Sequence, residues 1–91
     1  MPTDTHSLFK TINHIHIGNG EIELDVIECE NGTWFVENRW GDENFETIDG
    51  ISNPDILPYV NPYFFKTELE AEKFAVTQIQ KIIPNFTYNL E

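Results

Sequence analysis

Residues Asn13 to Trp40 read as three strands in a meander, and two runs within them alternate apolar and polar side chains with a period of two, the spacing of strands that bury one face. His14-Ile15-His16-Ile17 is one such run, and Glu21-Ile22-Glu23-Leu24-Asp25-Val26 is the next. Asn19-Gly20 between them supplies the residue types that tolerate positive φ at both central positions of a type I′ hairpin turn. That turn predicts Gly18 opposite Glu21, Ile17 opposite Ile22 and Ile15 opposite Leu24. It also sets His16 across from Glu23 and His14 across from Asp25. A second hairpin is expected at Glu30-Asn31-Gly32, a three-residue loop with Gly32 left-handed, which pairs Val26 with Val36 and Leu24 with Asn38. The expected inner face is Ile15, Ile17, Ile22, Leu24, Val26, Trp34, Val36 and Trp40. The outer face carries His14, His16, Glu23, Asp25, Glu37 and Arg39, with Ile27, Cys29 and Phe35 toward one end. Asn44 to Ile48 reads as a fourth strand beyond a turn at Gly41-Asp42-Glu43.

The period then changes. Ala71, Phe74, Ala75, Gln78, Ile79 and Ile82 recur at helical spacing, predicting a helix over Glu68–Ile83 that covers the sheet. Thr67 and Glu70 have capping-box spacing, and Pro84 marks the stop. Asn53-Pro54 has the form of a cap followed by proline at the first helical position, predicting one turn through Leu57. Leu8 to Ile12 fits either a short helical turn or the approach to the first strand. The resulting expectation is one α+β domain spanning residues 1–91: a three- to four-stranded antiparallel β-meander with one C-terminal α-helix packed on its apolar face. Residues 1–7 are expected to fray, and Leu90-Glu91 reads as a cloning remnant.

Composition adds a direction. The formal charge is −11, from 16 acidic and 5 basic side chains. Residues 21–55 hold eleven of the acids and one base, Arg39, whereas the stretches on either side nearly balance. The apolar fraction of 40% and aromatic fraction of 13% place the chain among folded domains despite that charge. Cys29 stands alone, so no internal disulfide forms and a reducing, cytoplasmic setting is expected. Neither a signal peptide nor a membrane-spanning run is legible.

Candidate chemistry is sparse. His14 and His16 project from one strand face, and with Glu23 and Asp25 opposite they form a candidate metal set. Cys29 lies between Glu28 and Glu30, neighbours that disfavour a thiolate. Ser7 and Ser52 lack a nucleophile elbow, and no phosphate-cradling glycine loop or dinucleotide fingerprint is present. The expectation is a protein with no enzymatic activity and no cofactor. The segment Phe65-Lys66-Thr67-Glu68-Leu69-Glu70-Ala71-Glu72-Lys73 resembles the helix start of double-stranded-RNA-binding domains, where basic residues grip phosphate. Here Glu68 and Glu70 stand where that grip needs cations, so direct nucleic-acid binding is not expected.

The function expected is that of a small acidic binding protein, inhibitor- or mimic-like, engaging a basic macromolecular partner. Glu23, Asp25, Glu37, Asp42, Glu43 and Glu46, with Tyr59 and Tyr63, are the candidate contacts. The alternatives are a metal- or small-ligand-binding module built on His14 and His16, and an acidic domain whose charge serves only solubility. Pairing of two copies through an open sheet edge is a further alternative, one that acidic edges would oppose.

Overall fold

The computed structural model describes residues 4–18, 22–38, 43–46, 48–54, 59 and 61–87. It is an α+β fold in which a four-stranded sheet of order β1-β2-β3-β4 carries one long C-terminal helix. The strands are β1 (Thr11–Gly18), β2 (Glu23–Cys29), β3 (Trp34–Glu37) and β4 (Ile51–Ser52). A short helix, α1 (Thr5–Phe9), precedes them, and α2 (Glu68–Gln80) follows. Within the opening stretch, Thr5, His6 and Ser7 belong to α1. Asp4 caps α1, its carboxylate accepting from Ser7 N–H and Oγ–H at 3.2 and 2.9 Å. These two bonds hold the Asp4 carboxyl below its ordinary value.

The second hairpin forms as expected. Cys29 N–H donates to Thr33 O at 2.8 Å, Gly32 takes φ 87°, and Val26 pairs with Val36. The first hairpin differs by two residues: Gly18 faces Glu23, Ile17 faces Leu24, Ile15 faces Val26 and His16 faces Asp25. A slip of two leaves every side chain on its expected face, so alternation alone cannot separate the two registers. The observed one aligns Ile15, Val26, Val36 and Ile51 in a single apolar row across all four strands.

The expected fourth strand at Asn44–Ile48 is not a strand. Glu43–Phe45 is a 3₁₀ turn that buries Phe45 completely, and the chain returns to place β4 parallel to β3. Residues 38–50 supply the roughly dozen residues that a parallel crossover needs. Tyr63, Phe64 and Phe65 then run along the sheet. Phe65 exchanges two backbone bonds with Trp34 at 2.7 and 2.9 Å, and Tyr63 N–H donates to Gly50 O at 3.1 Å.

Thr67 caps α2 through its side chain, which accepts from Glu70 N–H at 3.2 Å, and Glu68 and Glu70 complement the helix dipole. The helix ends at Gln80 rather than Ile83, because the final turn tightens to Lys81 N–H→Gln78 O and Ile82 N–H→Ile79 O before Pro84. Ala71, Ala75, Val76 and Ile79 pack on Ile17, Leu24, Val26 and Val36. The two alanines let the helix lie close to the sheet. Each buried aliphatic side chain contributes about 1.5–3 kcal/mol. The turn expected over Asn53–Leu57, and Arg39, Trp40 and Tyr88, fall wholly or partly outside the described residues.

Candidate functional site

The face away from α2 is solvated only in part, at His14 and His16 of β1. At one end Ile27, Cys29 and Phe35 are buried beneath Phe9 of α1, whose ring meets Phe35 edge-on at 5.1 Å. Phe64, itself 46% exposed, lies at the rim of this cluster, 5.2 Å from Phe9 and 5.8 Å from Phe35. Because successive residues of an extended segment point to opposite sides, Phe64 lies toward this second cluster while Phe65 packs on Phe74 in the main one.

Beside the aromatic cluster lies a polar row. His16, Asp25, Glu37 and Ser52 are consecutive cross-strand neighbours, one from each strand. Asp25 is 0% exposed and Glu37 2%, so neither carboxylate belongs to an accessible acidic face, contrary to expectation. A buried carboxylate is costly unless donors surround it. Glu37 Oε1 accepts from Thr5 Oγ1 at 2.8 Å and from Ser52 Oγ at 3.4 Å. Ser52 Oγ also lies 2.6 Å from Tyr59 Oη. Burial raises the Tyr59 phenol above its ordinary value; the Ser52 bond opposes this and the Glu37 charge adds to it. Asp25 Oδ1 pairs with His16 Nδ1 at 2.6 Å, while Asp25 Oδ2 finds no hydrogen-bond partner among the described residues. The row thus joins α1, all four strands and the Tyr59 segment.

This arrangement changes the candidate metal set. Asp25 sits behind His16 rather than beside it as a ligand to a shared ion, Glu23 faces Gly18, and His14 faces Ile27. Among the described residues no three potential ligands gather. His14 and His16 remain neighbours on the open face, their rings 5.5 Å apart and inclined by 70°.

The other candidate contacts separate. Glu43 and Glu46 are exposed and flank Phe45, whose carbonyl accepts from Asn53 Nδ2 at 3.2 Å just past β4, at the end of the sheet where β2 begins with half-buried Glu23. Asp42 lies outside the described residues. Tyr59 is half-buried in the polar row, whereas Tyr63 is 53% exposed and rests against Phe74 at 6.0 Å.

An open cleft of about 740 Å³ lies between α1 and the β2–β3 turn, lined by Leu8, Phe9, Lys10, Cys29, Thr33 and Phe64 among others. Cys29 at its base is 1% exposed. Burial pushes its thiol above the ordinary value, with the Thr33 hydroxyl opposing and Glu28 adding, so it is poorly suited to act as a nucleophile.

The polar row escaped sequence reading, although it left a signal. Ile27, Cys29 and Phe35 share a face with Asp25 and Glu37, and three apolar residues there imply a cover. No protein-family model matches the chain, and neither a curated protein nor a solved structure is found to match it.

Proposed function

We propose that this chain is a non-enzymatic binding domain that engages a basic macromolecular partner through the acids exposed at one end of its sheet. The observation that supports this reading is the segregation of charge. Residues 21–55 hold eleven acids against Arg39, and folding leaves Glu43 and Glu46 exposed at the end where Glu23 begins β2. Asp25 and Glu37 leave the contact set, and Tyr63 stays in it as an exposed aromatic anchor. Complementary fields speed association with a cationic surface and disfavour anionic partners. Five basic side chains in the whole chain argue against a phosphate-binding surface of its own. The reading places the protein in the cytoplasm, supported by its lone buried cysteine. Among the described residues no helix is long and apolar enough to cross a membrane.

The test is affinity capture from a lysate at two salt concentrations, comparing the native chain with Glu23→Lys/Glu43→Lys/Glu46→Lys. Three reversals of +2 each move the formal charge from −11 to −5. The expected result is loss of a captured basic protein that the native chain releases at high salt. Identical capture by both chains refutes the reading and leaves the acidity as a device for solubility.

A further inference from the structure

The two edges of the sheet are built differently. On one side β4 is only two residues long, and beside it Pro62 bridges Gly50 and Phe65 bridges Trp34 of β3. On the other side β1 ends the strand order with eight residues, and among the described residues nothing pairs with its outer edge. Proteins usually guard such an edge with lysine, proline or inward charge. Thr11–Gly18 contains no Asp, Glu, Lys, Arg or Pro, and its one irregularity is the shift at Ile12, whose side chain is 61% exposed. The expectation of acidic edges is therefore wrong for this one. In a chain of charge −11, an uncharged edge is where two copies can approach with least repulsion.

The same edge carries His14 and His16. We propose that two copies of this chain pair antiparallel along β1 and hold one divalent transition-metal ion of the zinc class between the His14 and His16 imidazoles of both. The site goes beyond the acidic-partner reading and does not rest on it. One copy supplies two neighbouring imidazoles, and no third ligand gathers near them among the described residues. A tetrahedral zinc site needs four. A two-fold axis normal to the sheet keeps each face on its own side, and antiparallel pairing opposes positions of like parity. All four histidines then lie on one face. With Ile15 on the axis, His14 of each copy stands opposite His16 of the other. Opposed Cβ atoms are about 4.5–5.5 Å apart and diagonal ones within about 7–8 Å. Imidazoles can converge from such positions on an ion at about 2.0–2.1 Å.

The buried carboxylate supports this assignment. Asp25 Oδ1 holds His16 Nδ1 at 2.6 Å, so His16 ligates through Nε2 with a carboxylate behind it, the arrangement that orients metal-binding histidines. A dication between two chains each at −11 also offsets part of their mutual repulsion.

The experiment uses the untagged chain, since an added histidine tag would bind the probe. Sedimentation velocity is run with zinc chloride and with EDTA, alongside visible absorption of a cobalt(II) titration. The expected result is a zinc-dependent dimer with one metal per two chains, reversed by EDTA, and the intense bands of tetrahedral cobalt. His14→Ala and His16→Ala, both at exposed positions, abolish dimer and bands together while keeping the far-ultraviolet circular dichroism. Asp25→Asn weakens zinc binding about 10–100-fold. Zinc bound one-to-one by a monomer overturns the proposal. So does a dimer indifferent to EDTA and to both alanine variants, or the absence of any response to zinc or cobalt.

Discussion

Thr5→Val tests the buried polar row most directly. Thr5 is buried, and its hydroxyl donates to Glu37 Oε1 at 2.8 Å, tying the first turn of α1 to the middle of the sheet. Valine has nearly the same shape, so the change removes a donor without opening a cavity. A hydrogen bond to a charged acceptor contributes about 1.5–3 kcal/mol. The Ser52 hydroxyl, at 3.4 Å, is a weaker donor than the one removed. A loss near 2 kcal/mol lowers the Tm of a domain this size by roughly 8–16 °C. Calorimetry measures that directly. A second assay separates global unfolding from detachment of α1, because Phe9 of that helix covers the cluster holding Cys29. If α1 lifts by itself, alkylation of Cys29 accelerates by about 30-fold for the same 2 kcal/mol. A loss under about 0.5 kcal/mol, the size of an unremarkable surface change, with unaltered alkylation would refute the row as a structural tie.

Other outcomes follow from single features. Gln78 is buried and its Oε1 finds no hydrogen-bond partner among the described residues. Gln78→Met is expected to stabilise by about 1 kcal/mol, measured by urea denaturation; a destabilised variant contradicts the unsatisfied acceptor. Gly50 adopts φ 90°, and a Cβ there would overlap the Tyr63 ring. Gly50→Ala should cost about 1–3 kcal/mol, mostly backbone strain because exposed Tyr63 can swing aside. Cys29 and Tyr59 are both pushed above their ordinary values, so the native state holds these protons more tightly than the unfolded chain. Their contribution is complete below the unfolded pKa values and is lost as pH rises through the folded ones. Stability should therefore fall from the ordinary thiol range upward, and Tyr59→Phe should flatten the upper part of that decline. An unchanged alkaline limb would argue against a buried Tyr59 hydroxyl.

The sheet edge and the acidic end meet at Glu23, which faces Gly18 of β1, so variants at Glu43 and Glu46 on one side and at His14 on the other are the ones that separate their tests. Charge reversal at Glu43 and Glu46 leaves β1 intact, and alanine at His14 leaves the acids in place. A zinc-dependent dimer would present two acidic ends at once, one from each copy.

Much of the framework follows from local physics that the chain states openly. Alternation from Asn13 onward makes strands, Gly32 makes the second turn, and Thr67 with the Ala71–Ile79 stripe makes the covering helix. These depend on side-chain period, a positive φ and a cap, all of which act within a few residues. The first hairpin register was not legible, because a slip of two preserves every face. Only the apolar row from Ile15 to Ile51 chooses between them, and its last member comes from β4. The same holds for the outer face. Nothing local says that α1 and Phe64 will cover it, or that Asp25 and Glu37 will be buried beneath hydroxyl donors distant in the chain. Burial is a property of what packs on a residue, so the sequence could mark the acids but only tertiary contact decided which of them meet solvent. The charge asymmetry belongs to the sequence; that β1, free of charged side chains, ends the strand order among the described residues is a consequence of topology.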